Sequence, residues 1–235
     1  AFSPRGARQG FRGVSELVTG AADLTAAYGV VDGLEVWGQL PIHRLRAEGS
    51  AGSSGATGVG DIRAAVRVGG ELVGLRLPVA VRAGIKLPGS EFPVNPRVLP
   101  LTEGQRDLEV SVESGWVGED LPVYLVGWVG YRWRGPNRTA GFEPGDEWFG
   151  HVALGGRAGR VHLELGVDVL RGLAPTEQGL ELESSRRRLV QLLPTLGADV
   201  GAGRLEVTSP IAVSGRNLPA AVGLSVGYRL AWGDW

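Results

Sequence analysis

Between Arg76 and Leu87 the chain reads RLPVAVRAGIKL, which places Leu77, Val79, Val81, Ala83, Ile85 and Leu87 on one face of a strand and Arg76, Arg82 and Lys86 on the other. A strict period of two sends alternate side chains to opposite sheet faces. An apolar face backed by a charged one needs two different solvents, and lipid outside with a wet lumen inside supplies them in a transmembrane β-barrel. The same pattern predicts strands over 18–30, 34–46, 60–69, 74–87, 106–117, 122–134, 146–157, 160–172, 187–200, 203–214 and 219–232.

The connections alternate in length. Val31-Asp32-Gly33, Gly69-Gly70-Glu71, Glu119-Asp120-Leu121, Ala158-Gly159 and Gly201-Ala202 read as tight turns, whereas 47–59, 88–105, 135–145 and 173–186 read as long loops. Short periplasmic turns opposite long extracellular loops are the outer-membrane arrangement. The first clear strand then runs from outside to inside. A chain starting in the periplasm needs one more upward strand, drawn from the weakly patterned Ala7–Leu17, for about twelve in all. The expected fold is an all-β, antiparallel up-and-down transmembrane barrel occupying residues 1–235 as one domain, with 1–17 weakly patterned.

Aromatic residues sort by strand direction. Trp133 ends an upward strand and Trp148 begins the next downward one, so both fall at the outer rim; Tyr28, Trp116 and Trp232 end downward strands, at the periplasmic rim. Two aromatic rings bordering an apolar band are the expected interfacial girdles. A soluble sandwich with core tryptophans has no reason to sort them this way.

The inward positions are charged. Arg63, Arg67, Arg76, Arg82 and Lys86 face Asp107, Glu109 and Glu113 on the next strand, predicting a ladder of cross-strand pairs. Farther round, Arg132, His151, His162, Glu164, Asp168, Arg204, Glu206 and Arg229 continue the lining, with Arg134, Glu147, Arg157, Asp199 and Arg216 among them. These charges either neutralise one another and stiffen a narrow barrel or set a transverse field that orients a permeating solute. About twelve strands lie between the filled interior of eight and the open channel of sixteen to eighteen. The loop 88–105, with four prolines, is the expected gate; an exposed surface loop is the alternative. As a gate, its removal over 90–98 raises single-channel conductance.

Composition removes other classes. A net charge of -1 and the absence of cysteine leave no basic footprint for nucleic acid, no disulfide framework and no thiolate site. No run approaches the roughly twenty apolar residues of a membrane helix. His151 and His162, with Glu147, Glu164 and Asp168 nearby, invite a carboxylate-supported histidine or a metal site. No suitably facing serine accompanies them, so neither catalysis, a metal nor a cofactor is expected. GATGVGDI at 55–62 lacks the βαβ surroundings of a dinucleotide fingerprint. The opening AFSPRGARQG, without methionine or an apolar core, is what removal of a signal peptide would leave.

The succession GVGDIRAAVRV (58–68), PVAVRAGIKLPG (78–89), LPLTEGQRDLEVSVESG (99–115), PVYLVGWVGYRWRG (122–135), PGDEW (144–148) and SGRNLPAAVGLSVGYRL (214–230) resembles the outer-membrane barrels grouped as the MetA-pathway phenol-degradation family. That resemblance implies a monomeric channel of roughly twelve strands passing small, often aromatic or hydrophobic, compounds. One departure is the terminal Trp235, where the barrel-assembly signal usually ends in phenylalanine. The expected partners are the lipid bilayer with its lipopolysaccharide and a small-molecule solute, and the expected location is the bacterial outer membrane. A non-conducting barrel that scaffolds an envelope assembly and a soluble, lectin-like β-sandwich are the other readings.

Overall fold

The computed structural model describes residues 1–9, 14–49, 52–93 and 99–232, with Val14 and Ser15 described through their backbone alone. A long hairpin opens the sheet: β1 (Val14–Val31) and β2 (Leu34–Gly49) turn at Asp32-Gly33, where Gly33 takes φ 77. β3 (Gly52–Val59) and β4 (Asp61–Gly69) are one strand interrupted at Gly60, and both pair with β2. β5 (Val79–Pro88), β6 (Asp107–Val117) and β7 (Val123–Arg134) follow as antiparallel neighbours.

After the two-residue β8 (Phe142–Glu143) come β9 (Glu147–Ala158) and β10 (Val161–Gly172). The short β11 (Thr176–Glu177) and β12 (Leu180–Glu181) join β8 in a small separate sheet that ties two long connections together. β13 (Arg188–Val200) carries β14 (Gly203–Thr208) and β15 (Ile211–Arg216) end to end along one edge, and β16 (Ser225–Leu230) pairs with β14. Among the described residues thirteen strands form the main sheet, and eleven of them follow in one antiparallel path.

Several boundaries differ from the sequence reading. The strand expected at 74–87 begins at Val79, because Gly69-Gly70-Glu71 is no tight turn but the start of a 70–78 connection with a 3-10 turn at Gly70–Val73. Gly74 at φ 76 and Pro78, which cannot donate to a ladder, hold that segment out of the sheet. The loop expected at 47–59 is largely strand: GSSGATGV pairs residue for residue with β2, its glycines and serines having given no alternation to read. At the other end only Ser225–Leu230 of 219–232 joins the ladder.

The expected upward strand from Ala7–Leu17 is absent among the described residues. Residues from Val14 onward already belong to the downward β1, residues 10–13 lie outside the described set, and residues 1–9 sit at the end of the sheet that carries the long connections. There Phe2 is buried against Gly215, the Phe2 amide donates to the Leu218 carbonyl at 2.8 Å, and Arg8 donates to the Ala212 carbonyl at 2.6 Å. The parity argument assumed entry from the opposite end. In consequence β1 and β16, the two ends of the path, run in the same direction.

The packing is inverted relative to a water-soluble protein. The largest fully buried side chains are Lys86, Glu147 and Asp107, at 1%, 1% and 2% exposure, while Leu24, Leu163 and Val226 are 70%, 61% and 63% exposed. Charged residues are almost never fully buried unless paired, and soluble monomers do not expose contiguous apolar surface on this scale. Two packed sheets would have put those apolar faces together, so the sandwich reading fails. Among the described residues no helix is long and apolar enough to cross a membrane.

Candidate functional site

Alternation along the curled sheet delivers one charged face to the interior. At the end bearing the long connections, Lys86 is enclosed by Asp107 at 2.8 Å, Asp61 at 3.3 Å and Glu103. Arg134 lies beside them, 2.6 Å from Glu103 and 3.1 Å from Glu147, and Arg187 reaches the same two carboxylates. Glu103 comes from the β5–β6 connection, so it latches that loop onto the wall. Burial alone would raise its carboxyl, but the Arg134 guanidinium and the Lys86 ammonium outweigh burial and hold it at about 2. Phe92 and Leu99 of the same loop are described, whereas 94–98 lie outside the described residues.

Below this cluster the expected ladder is present with its partners specified. Arg67 meets Glu113 at 2.9 Å and Arg82 meets the same carboxylate, while Glu109 is shared by Arg63 at 3.4 Å and Arg132 at 3.0 Å. Arg132 also reaches Glu147 at 3.1 Å. Arg76 does not take part, since it lies exposed in the 70–78 connection, and Arg216, also expected inside, is exposed on the outward phase, in register with Arg188.

The middle of the lumen is aromatic, which the facing argument did not bring out. Trp37, Trp128 and Phe149 line a cavity of about 370 Å³ together with Arg82, Arg132 and Gln191. The Arg132 guanidinium stands 5.0 Å from the Phe149 ring centre and that of Arg82 5.9 Å from Trp37. Gly130 makes room for Phe149, since a Cβ there would come within 2.4 Å of its ring. Trp128 stacks on His151 with centroids 4.0 Å apart, and His151 Nδ1 lies 2.6 Å from Asp168.

Toward the short turns a second cavity of about 250 Å³ is lined by Tyr124, His151, His162, Glu164, Arg204 and Glu206. Tyr124 donates its hydroxyl to Glu164 at 2.7 Å, and His162 Nε2 lies 2.9 Å from Asp199, which also pairs with Arg157 at 3.0 Å and Arg204 at 3.4 Å. Glu206 takes Arg229 at 3.4 Å. The Trp128–His151 stack therefore stands between the two cavities, and the two histidines use separate carboxylates instead of converging. Among the described residues no group of three potential metal ligands forms.

Trp37, Glu103, Tyr124, Trp128, Phe149 and Arg187 are among the lumen residues the sequence reading missed. Trp128 and Tyr124 fall on the same alternation phase as Arg132, which was the signal available for them; Glu103, in a loop, carried none. On the outer surface Tyr28, Trp116, Trp133, Trp148 and Trp232 are all about half exposed or more, and Tyr131 packs edge-on between Trp133 and Trp148 at 5.1 and 4.9 Å. Trp235 lies outside the described residues.

No protein-family model and no curated protein sequence matches this chain. Among solved structures it is similar to the crystal structure of an outer membrane channel from Pseudomonas putida F1, with a TM-score of 0.67 and 15% identity over 89% of this chain and 79% of that one. At that identity the likeness carries the fold alone, a curled antiparallel sheet of the β-barrel type. The resemblance to the phenol-degradation family is supported at that level and not at the level of the family itself.

Proposed function

We propose that this chain is a bacterial outer-membrane channel for small aromatic solutes bearing a polar or anionic group. The observation that carries this reading is the cavity of about 370 Å³ in which Trp37, Trp128 and Phe149 are interleaved with Arg82 and Arg132. Aromatic walls accept a ring, and the guanidiniums accept its substituent. The apolar outer face and its half-exposed rim aromatics support a membrane setting. The name of the Pseudomonas putida neighbour, an outer membrane channel, agrees with it. The aromatic solute class is read from these lining side chains; no step of bond chemistry is assigned to the lumen.

Purified protein refolded in detergent and inserted in a planar bilayer is expected to give discrete current steps that benzoate blocks. Trp128→Ala is expected to weaken that block about three- to tenfold, the worth of one aromatic contact. Insertion without any current would overturn the channel and move the assignment to the non-conducting scaffold, which the ion pairs across the outer mouth favour.

A further inference from the structure

Three arginines stand side by side on the outward face. Arg171 pairs in register with Arg188 across β10 and β13, and Arg188 pairs with Arg216 across β13 and β15. All three are exposed, and each lies at or next to its strand's end on the side of the long connections. They continue the outward phase that carries Leu163, Leu165 and Val169 lower down β10. Trp148, the rim aromatic, is the cross-strand neighbour of Arg171 on β9.

Such a row is unfavourable in isolation. Directly opposed side chains sit about 4.5–5.5 Å apart, and like charges there repel. The arginines that line the lumen are given carboxylates, but among the described residues no ion pair involves Arg171, Arg188 or Arg216; Arg216 donates a hydrogen bond to the Pro4 carbonyl. An anion from outside the chain would supply the counter-charge that this face of the sheet lacks.

We infer that this row binds the phosphates of an anionic lipid headgroup in the outer leaflet, of the bis-phosphorylated glycolipid type. The inference rests on the outer-membrane reading proposed above. Rim tryptophans mark headgroup depth, and long arginine stems reach from the apolar wall to that layer. Val129, Val169 and Val190 line a cavity of about 500 Å³ together with Trp148 and the three arginines, offering apolar wall next to the charges. Planar guanidiniums suit phosphate oxygens in pairs. Two phosphates against three arginines satisfy the row without overcharging it.

The test uses the full chain refolded in detergent micelles and native mass spectrometry, with bis-phosphorylated hexa-acyl lipid A, the same lipid stripped of phosphate, and inorganic phosphate as probes. The phosphorylated lipid is expected to bind at least about tenfold more tightly than the stripped one. Arg171→Gln with Arg188→Gln is expected to abolish that difference while the barrel keeps its heat-modifiable mobility on gels; Arg216 is left intact because it holds the N-terminal segment. Equal binding of the two lipids, an unchanged folded double variant, or saturation by inorganic phosphate with no preference for the lipid would each overturn the inference. Insertion into phosphatidylcholine vesicles is scored separately. Failure to insert counts against the membrane reading itself, whereas insertion without lipid discrimination removes only the arginine site.

Discussion

Lys86→Met is expected to destabilise the barrel by about 3–5 kcal/mol, the cost of removing one partner from a buried charge cluster. Lys86 is 1% exposed and its ammonium is the shared counter-ion of Asp61, Glu103 and Asp107. With it gone, Asp107, itself 2% exposed, keeps only Arg134 at 3.5 Å. Urea unfolding of the protein in lipid vesicles, followed by tryptophan fluorescence, measures the loss. Adding Asp107→Asn to the variant is expected to restore part of it, because the orphaned charge is then removed too. An unchanged midpoint for the single variant would mean that the cluster contributes nothing to stability.

Glu103→Gln is expected to open the outer mouth and raise single-channel conductance severalfold. The carboxylate is the loop's charged link to Lys86, Arg134 and Arg187 on the wall, and the amide offers those cations no charge. Acid should act in the same direction. The Glu103 carboxyl is held at about 2 instead of its ordinary 4.5. A lowered value means that the folded, latched state favours the ionised form. The latch's contribution is therefore complete above pH 4.5 and is lost as pH falls toward 2. Conductance measured from pH 6 downward is expected to rise across that window in the unaltered protein and to rise less in Glu103→Gln, which has already lost the charge. A variant with the same conductance and the same pH profile would remove the latch. Because the Glu103 side chain is 43% exposed, solvent screens the pairing, and the effect should show in gating more than in global unfolding.

The two expectations concern different parts of one network. Lys86, Asp107 and Arg134 belong to strands and fix the wall; Glu103 and Arg187 come from the connections above and can leave without unmaking a ladder. That separation is what allows a mouth to open while the strands of the wall stay paired.

Much of this architecture was legible in the chain. Alternation needs only the geometry of a strand, so the register of RLPVAVRAGIKL assigned Arg82 and Lys86 to the interior and Val81 and Leu87 to the exterior before any neighbour was known. The rim aromatics Trp133 and Trp148 followed from strand direction for the same reason. Arg76 shows the limit: the phase was right for an inward residue, but Gly74 and Pro78 ended the strand before it. The N-terminal strand was inferred from parity, which depends on where the chain enters, and residues 1–9 lie at the opposite end from the one assumed.

The identity and phase of residues within each strand dictate the two-faced sheet, with its apolar exterior and its charged interior. Which charges meet was decided only by tertiary structure. The shift between neighbouring strands brings Arg67 and Arg82 to Glu113 and Arg63 and Arg132 to Glu109, and no single strand encodes that shift. The same holds for the stacking of Trp128 on His151, for Glu103 folding in from its loop, and for Arg171, Arg188 and Arg216 arriving in one row from three strands. Each is a contact between residues far apart in the chain, made by the curl and register of the sheet, and a local pattern contains neither.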